Sequence, residues 1–234
     1  MSVLVTLTLL LAGPGPCEPL GTLWNRQEPW VCGGGTPYHP QEGDLVFFTS
    51  TSPLFGIVFG VGRTSHPYHV GMVVRDRSGQ LVIFEAGGTQ EYLVVLKPIV
   101  ERMTDYVTKR SYRRIWVRRI REPLTPEQSL CLTQFAHAQE GKSFACCFRM
   151  AAHALPGRPL IPTHPNQHGW FCAELVSETM RVMGLCSAGH MVPHKTTPRD
   201  LFYDRRDISC GWHAPETWSA DELPPRAGPL CAPR

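Results

Sequence analysis

Apolar positions in this chain follow two rhythms. From residue 43 to about 120 they come in short, dense runs: "GDLVFF" (43–48), "HVGMVVR" (69–75), "LVIFEA" (81–86), "YLVVLKPIV" (92–100) and "RRIWVRRI" (113–120). Runs of that length, rich in β-branched and aromatic residues, predict strands. "HVGMVVR" and "LVIFEA" are joined by "DRSGQ", whose Ser-Gly is a hairpin signal. "TSPLFGIVFGVGRTSHPY" (51–68) is apolar but broken by Gly and Pro, and reads as a short helix or a packed loop.

After Arg121 the period changes. "LTPEQSLCLTQFAHAQEGK" (124–142) offers Thr125 as N-cap, Pro126 at the first helical position and Gln128 three residues after the cap. Gly141 ends that helix. "SFACCFRMAAHALPG" (143–157) predicts a second helix, and the Pro-rich "GRPLIPTHPNQHG" (157–169) predicts a loop. A third helix follows in "CAELVSETMRVMG": Cys172, Leu175, Val176, Thr179 and Met183 fall on one face, and Gly184 supplies the stop. Strands first and helices afterwards predict an α+β fold, an antiparallel sheet with helices packed at one side. The division expected is a candidate signal peptide (1–16), an irregular arm (17–41), one folded domain (42–205) and a Pro-rich C-terminal tail on the surface (206–234).

Composition sharpens this outline. The 234 residues are 42% apolar, ordinary for one folded domain, and a net charge of +3 does not imply nucleic acid. Nine cysteines are many for a cytosolic chain of this size. Setting Cys172 aside leaves eight, enough for four disulfides with 105 connectivities, or alternatively a set of buried reduced thiols. The apolar run Val3–Ala12 has the length of a secretory h-region, but no Lys or Arg precedes it. A secreted or extracytoplasmic protein is the expectation, with a buried strand as the other reading of that run.

The chemistry centres on Cys172. The first turn of a helix favours negative charge through its unpaired N–H groups and dipole, and a thiol attacks as thiolate. Those N–H groups also suit the oxyanion formed when a carbonyl is attacked. Such a cysteine needs an imidazole, and the imidazole an orienting partner. His69 opens the strand "HVGMVV", and Glu85 ends the neighbouring "LVIFEA" after four uncharged residues. A carboxylate at the end of an apolar strand is unfavourable unless something binds it, and an imidazole across the hairpin would.

The ordered set "GDLVFF", "HVGMVV", "FEAGG", "GKSF" and "FCAELVSETM" resembles the YiiX/YaeF-like permuted papain-fold amidases, the circularly permuted branch of the NlpC-type cysteine peptidases. The resemblance covers roughly residues 42–203. It implies a circularly permuted papain-like fold with the nucleophile at a helix N-terminus. It also implies His69 as base, Glu85 as its orienting acid and Cys172 as nucleophile of a hydrolase or acyltransferase acting on an amide or ester bond. Peptide, N-acyl amino acid and lipid acyl substrates all fit, and no cofactor is needed. Where the family commonly has Ser before the histidine, this chain has Tyr68, with Ser65 three positions earlier. Tyr68 and Phe171 flank the expected catalytic residues and are candidate substrate contacts. Glu174, in the first helical turn, reads as helix stabilisation.

Other readings use the same residues. "HPNQHGWFC" spaces His164, His168 and Cys172 by four, and "CSAGHMVPH" repeats this with Cys186, His190 and His194, so a zinc protein is one alternative. A non-catalytic papain-fold binding module is another. "KRSYRRIWVRRIR" (109–121) carries seven cations, either the solvated face of a strand or a patch for peripheral contact with anionic headgroups. "PLFGIVFGV" (53–61) is either an acyl-binding lining or core.

Overall fold

The computed structural model describes residues 38–49, 67–87, 92–109, 115–145, 169–185, 191–204 and 211–218, together with a short antiparallel pairing of Thr22–Leu23 with Arg26–Gln27. The expected signal peptide, most of the arm, the apolar stretch 53–61, the helix expected from 143 onward beyond Ala145, and the end of the tail lie outside the described residues. No helix among the described residues is long and apolar enough to cross a membrane.

The fold is α+β. In chain order it comprises β1 (Leu45–Phe48), β2 (His69–Arg75), β3 (Leu81–Ala86), β4 (Val94–Pro98), α1 (Ile99–Lys109), β5 (Ile115–Arg118), α2 (Pro126–Gln139), α3 (Cys172–Val182), a 3₁₀ turn (Pro193–Lys195), α4 (Pro198–Phe202) and β6 (Glu216–Trp218). The six strands form one antiparallel sheet in the order β4-β3-β2-β1-β5-β6. β1 lies in the middle, with Phe48 opposite His69 on one side and Ile115 on the other.

Helices cover both faces of this sheet, not one side as the element order predicts. Leu45, Phe47, Met72, Val74, Phe84 and Trp116 pack against Leu132 and Ala136 of α2 and Leu175, Val176 and Met180 of α3. The alternate residues Val46, Phe48, Val73, Ile83 and Ile115 pack against Ile99, Met103 and Tyr106 of α1. All four residues of β1 are buried, so its continuous apolar run reflects burial on both faces. α1 is itself a departure from expectation. The apolar run 92–100 is strand only as far as Pro98; the chain then turns helical, and Ile99, Met103 and Tyr106 recur at helical spacing to seal the second face.

α2 begins as predicted: Gln128 N–H donates to Thr125 Oγ1 at 3.2 Å and Thr125 N–H donates to Gln128 Oε1 at 3.0 Å. α3 closes with Leu185 N–H donating to Met180 O and Gly184 N–H to Arg181 O, the paired bonds of a Schellman stop, with Gly184 at φ +69°.

The segment expected as a surface tail contributes β6, with Trp218 buried in the cluster that includes Ile115 and Phe48, and Trp212, whose indole N–H donates to Gly43 O at 2.8 Å. The basic run is likewise not all solvated. Arg118 is buried, donating to Leu201 O, His213 O and Trp212 O, and Arg119 pairs with Glu216 of β6 at 3.0 Å. At the same end Asp44 is fully buried and accepts from Tyr38 OH (2.8 Å), Gln41 N–H (3.0 Å) and Ile120 N–H (2.9 Å). The Gly-Asp pair therefore fastens the sheet end remote from His69. Cys131 is a free thiol, 3.8 Å from Val182 O; the other seven cysteines besides Cys172 lie outside the described residues. Cys131 points from α2 at the end of α3, an ordinary helix contact.

Candidate active site

His69 is the first residue of β2 and Cys172 the first of α3; the two meet at one end of the sheet, within hydrogen-bonding reach of each other. How Cys172 comes to lie there follows from a chain of backbone bonds. Gly87 N–H donates to Leu93 O, Phe144 N–H to Tyr92 O and Val94 N–H to Lys142 O, which ties residues 142–144 to the start of β4. Trp170 N–H then donates to Ser143 O at 2.9 Å, and Ala145 N–H returns to Trp170 O at 3.0 Å. Cys172 is thus two residues beyond a segment pinned, through 143–145, to the sheet.

Two glycines permit this approach. A Cβ at Gly87 would collide with the Phe144 ring, and one at Gly169 (φ +84°) with the Ser143 carbonyl oxygen. Gln139, at the end of α2, receives both the Trp170 indole N–H (3.1 Å) and the Lys142 ammonium (2.7 Å) on Oε1, which fixes the same corner from the side-chain direction.

His69 Nε2 lies 2.7 Å from Glu85 Oε2, leaving Nδ1 as the nitrogen for the thiol. Burial opposes a charge on His69, but the sulfur of Cys172 and the carboxylate of Glu85 outweigh it and raise its pKa to about 9. Glu85 is completely buried, which alone would push its carboxyl up. Contacts with His69 and Arg102 reverse this and hold it below the usual range. Arg102 donates to Glu85 Oε1 through Nε and lies against it through Nη2, and Tyr106 OH donates to Oε2 at 3.3 Å. The Arg102 guanidinium sits 4.8 Å from the Tyr106 ring centroid. Tyr106 in turn stacks on Phe48 at 3.8 Å, and Phe48 is in register with His69.

The three expected catalytic residues are therefore together. Arg102 and Tyr106 are additions that sequence reasoning missed, although Ile99, Arg102, Met103 and Tyr106, spaced three or four residues apart, make a readable helical face. Tyr68, directly before His69, is buried, and its backbone N–H donates to Phe48 O at 3.1 Å. Phe171 is half-buried at the N-cap of α3 and meets Phe144 edge-on at 6.0 Å. Glu174 is buried, and its Oε2 accepts from Phe171 N–H at 3.4 Å, as a residue stabilising a helix start does. Of the zinc alternative, His164, His168, Cys186 and His190 lie outside the described residues. Among the described residues no three His, Cys, Asp or Glu gather as a metal site.

No family model matches the chain, and no curated protein matches it. Among solved structures it is similar to the metalloprotein YiiX from Escherichia coli O157:H7, DUF1105, at 18% identity and a TM-score of 0.44 over 80% of this chain and 92% of that one.

Proposed function

We propose that the chain is a cysteine-dependent hydrolase or acyltransferase of circularly permuted papain-like fold, cleaving an amide or ester bond through an acyl-enzyme. The observation that carries this is His69, held by Glu85 through Nε2 and within hydrogen-bonding reach of Cys172 at the first turn of α3. The histidine strand precedes the cysteine helix in the chain, the order a permuted papain fold requires.

In this reading His69 Nδ1 takes the thiol proton and the thiolate attacks the substrate carbonyl carbon. The resulting oxyanion sits at the N-terminus of α3, where the first backbone N–H groups have no intrahelical partner. The imidazolium then gives its proton to the departing amine or alcohol. Water, or another acceptor, attacks the thioester with His69 as base and frees the thiol. Glu85 keeps the ring in one orientation throughout and stabilises its charged form. Phe171 and Phe144 would line the acyl side, and Tyr68 would shape the approach to the base.

The test is acyl-enzyme trapping. Wild type, Cys172→Ala and His69→Ala are mixed with p-nitrophenyl esters of increasing acyl length and with matching anilides, and intact mass and peptide mapping follow the adduct. An acyl group on Cys172 is expected in wild type, absent in Cys172→Ala and formed about 100-fold more slowly or worse in His69→Ala. No adduct and no turnover across the panel, with Cys172 alkylated equally fast with and without His69, would falsify the proposal.

A further inference from the structure

The cluster around the base contains a charge that a three-residue arrangement does not need. Glu85 is fully buried and both its oxygens are committed: Oε1 to Arg102, Oε2 to His69 and Tyr106. Arg102 is only 7% exposed and Cys172 8% exposed. A carboxylate that merely oriented an imidazole could be satisfied by neutral donors. Burying a second full charge beside it is costly unless that charge has a purpose or an unavoidable structural role.

The geometry points to Arg102 as a positioning residue whose charge makes the reacting cluster neutral as a whole. In the thiolate–imidazolium state, Cys172 and Glu85 carry two negative charges and His69 and Arg102 two positive ones. Remove Arg102 and the same state leaves one uncompensated negative charge in a site nearly closed to water. That state takes up a proton more readily, whether at the sulfur or at Glu85. Arg102 touches no reacting atom; it acts through Glu85. This inference rests on Cys172 being the nucleophile.

The elements packed here carry a few other charged or titratable side chains among the described residues. They include Tyr68 before β2, Arg75 at the far end of β2, Lys97 of β4, Glu101 and Asp105 of α1, the Glu178–Arg181 pair of α3, and Glu174 of α3, whose carboxylate faces the Phe171 N–H. All are common to the variants compared, so they do not move the comparison.

The experiment is the rate of iodoacetamide alkylation of Cys172 against pH, by peptide mapping, for wild type, His69→Ala, Arg102→Met, Arg102→Lys and the double variant Glu85→Gln/Arg102→Met. Arg102→Met is expected to move the acid limb upward by about one pH unit or more. Arg102→Lys, which keeps the charge, keeps the limb within a few tenths of a unit. The double variant, which removes one charge of each sign, brings it back toward wild type; a purely structural arginine would not give that restoration. An Arg102→Met limb coincident with wild type, while His69→Ala abolishes it, overturns this inference and leaves the proposed function standing. If His69→Ala leaves the profile unmoved, the nucleophile reading falls and this one with it. Should Arg102→Met not fold, Glu85→Gln and the double variant make the same comparison without a lone carboxylate. The limb of Glu85→Gln is then expected at lower pH than that of the double variant, and any other order overturns the inference.

Discussion

Gly169→Ala should be among the most damaging small substitutions in this protein. Gly169 has φ +84°, a left-handed conformation that costs an L-residue about 1–2 kcal/mol. Its Cβ would also lie 2.9 Å from Ser143 C and 3.0 Å from Ala145 N, besides colliding with the Ser143 oxygen. These are backbone atoms and cannot rotate aside. Relief requires opening the Trp170–Ser143 and Ala145–Trp170 hydrogen bonds, worth about 1 kcal/mol each. The sum is about 3–4 kcal/mol. Gly184 is the internal control: it too has positive φ, +69°, but a Cβ there meets nothing within 4 Å, so Gly184→Ala should lose only the conformational part, about 1–2 kcal/mol. Equilibrium urea unfolding of the two variants measures the difference directly. Because Cys172 lies three residues on from Gly169, alkylation of the folded Gly169→Ala protein should also be slowed. Equal losses for the two variants would refute the argument that backbone contact at Ser143 places Cys172.

Two further outcomes follow from the same geometry. His69 binds its proton more tightly folded than unfolded, so its contribution to stability is fully present below pH 6.5 and disappears as pH rises to about 9; urea midpoints across that interval should fall in wild type and less steeply in His69→Gln. Asp44→Ala strands the buried Ile120 N–H and two further donors, and should cost about 3 kcal/mol while leaving the pH profile of Cys172 alkylation in place, since Asp44 lies at the opposite end of β1 from His69; thermal unfolding and alkylation read the two effects separately.

Where the sequence speaks clearly, local chemistry and tertiary need agree. β1, β2 and β3 are apolar runs bounded by turn residues, and α2 carries its capping box and stop within a few residues of each end. His69, Glu85 and Cys172 are legible because each stands at the end of such an element. α1 is not, because Ile99 and Val100 continue a β-branched run and hide a change of period at Pro98. Losing that helix also hides Arg102 and Tyr106, which look like solvated polar residues until a buried carboxylate gives them a partner. β6 has three residues, too few to show any period, and exists because β5 offers it an edge. The role of "GKSF" is readable only in three dimensions, since it depends on Gly87 and Gly169 being far away in the chain and adjacent in space.

The bond from Trp212 to Gly43 joins residues 169 positions apart, and Trp218 is buried beside Ile115 at the edge of the sheet. A ribosome delivers the two partners far apart in time. Throughout synthesis of everything between them, β5 has its β6 side unpaired, and an open strand edge is a template for association with other chains. By the time Trp212 is made, His69, Glu85 and Cys172 have all been made already. A chain released short of that tryptophan therefore carries His69, Glu85 and Cys172 on a sheet with an open edge, and residues 212–218 are what close it.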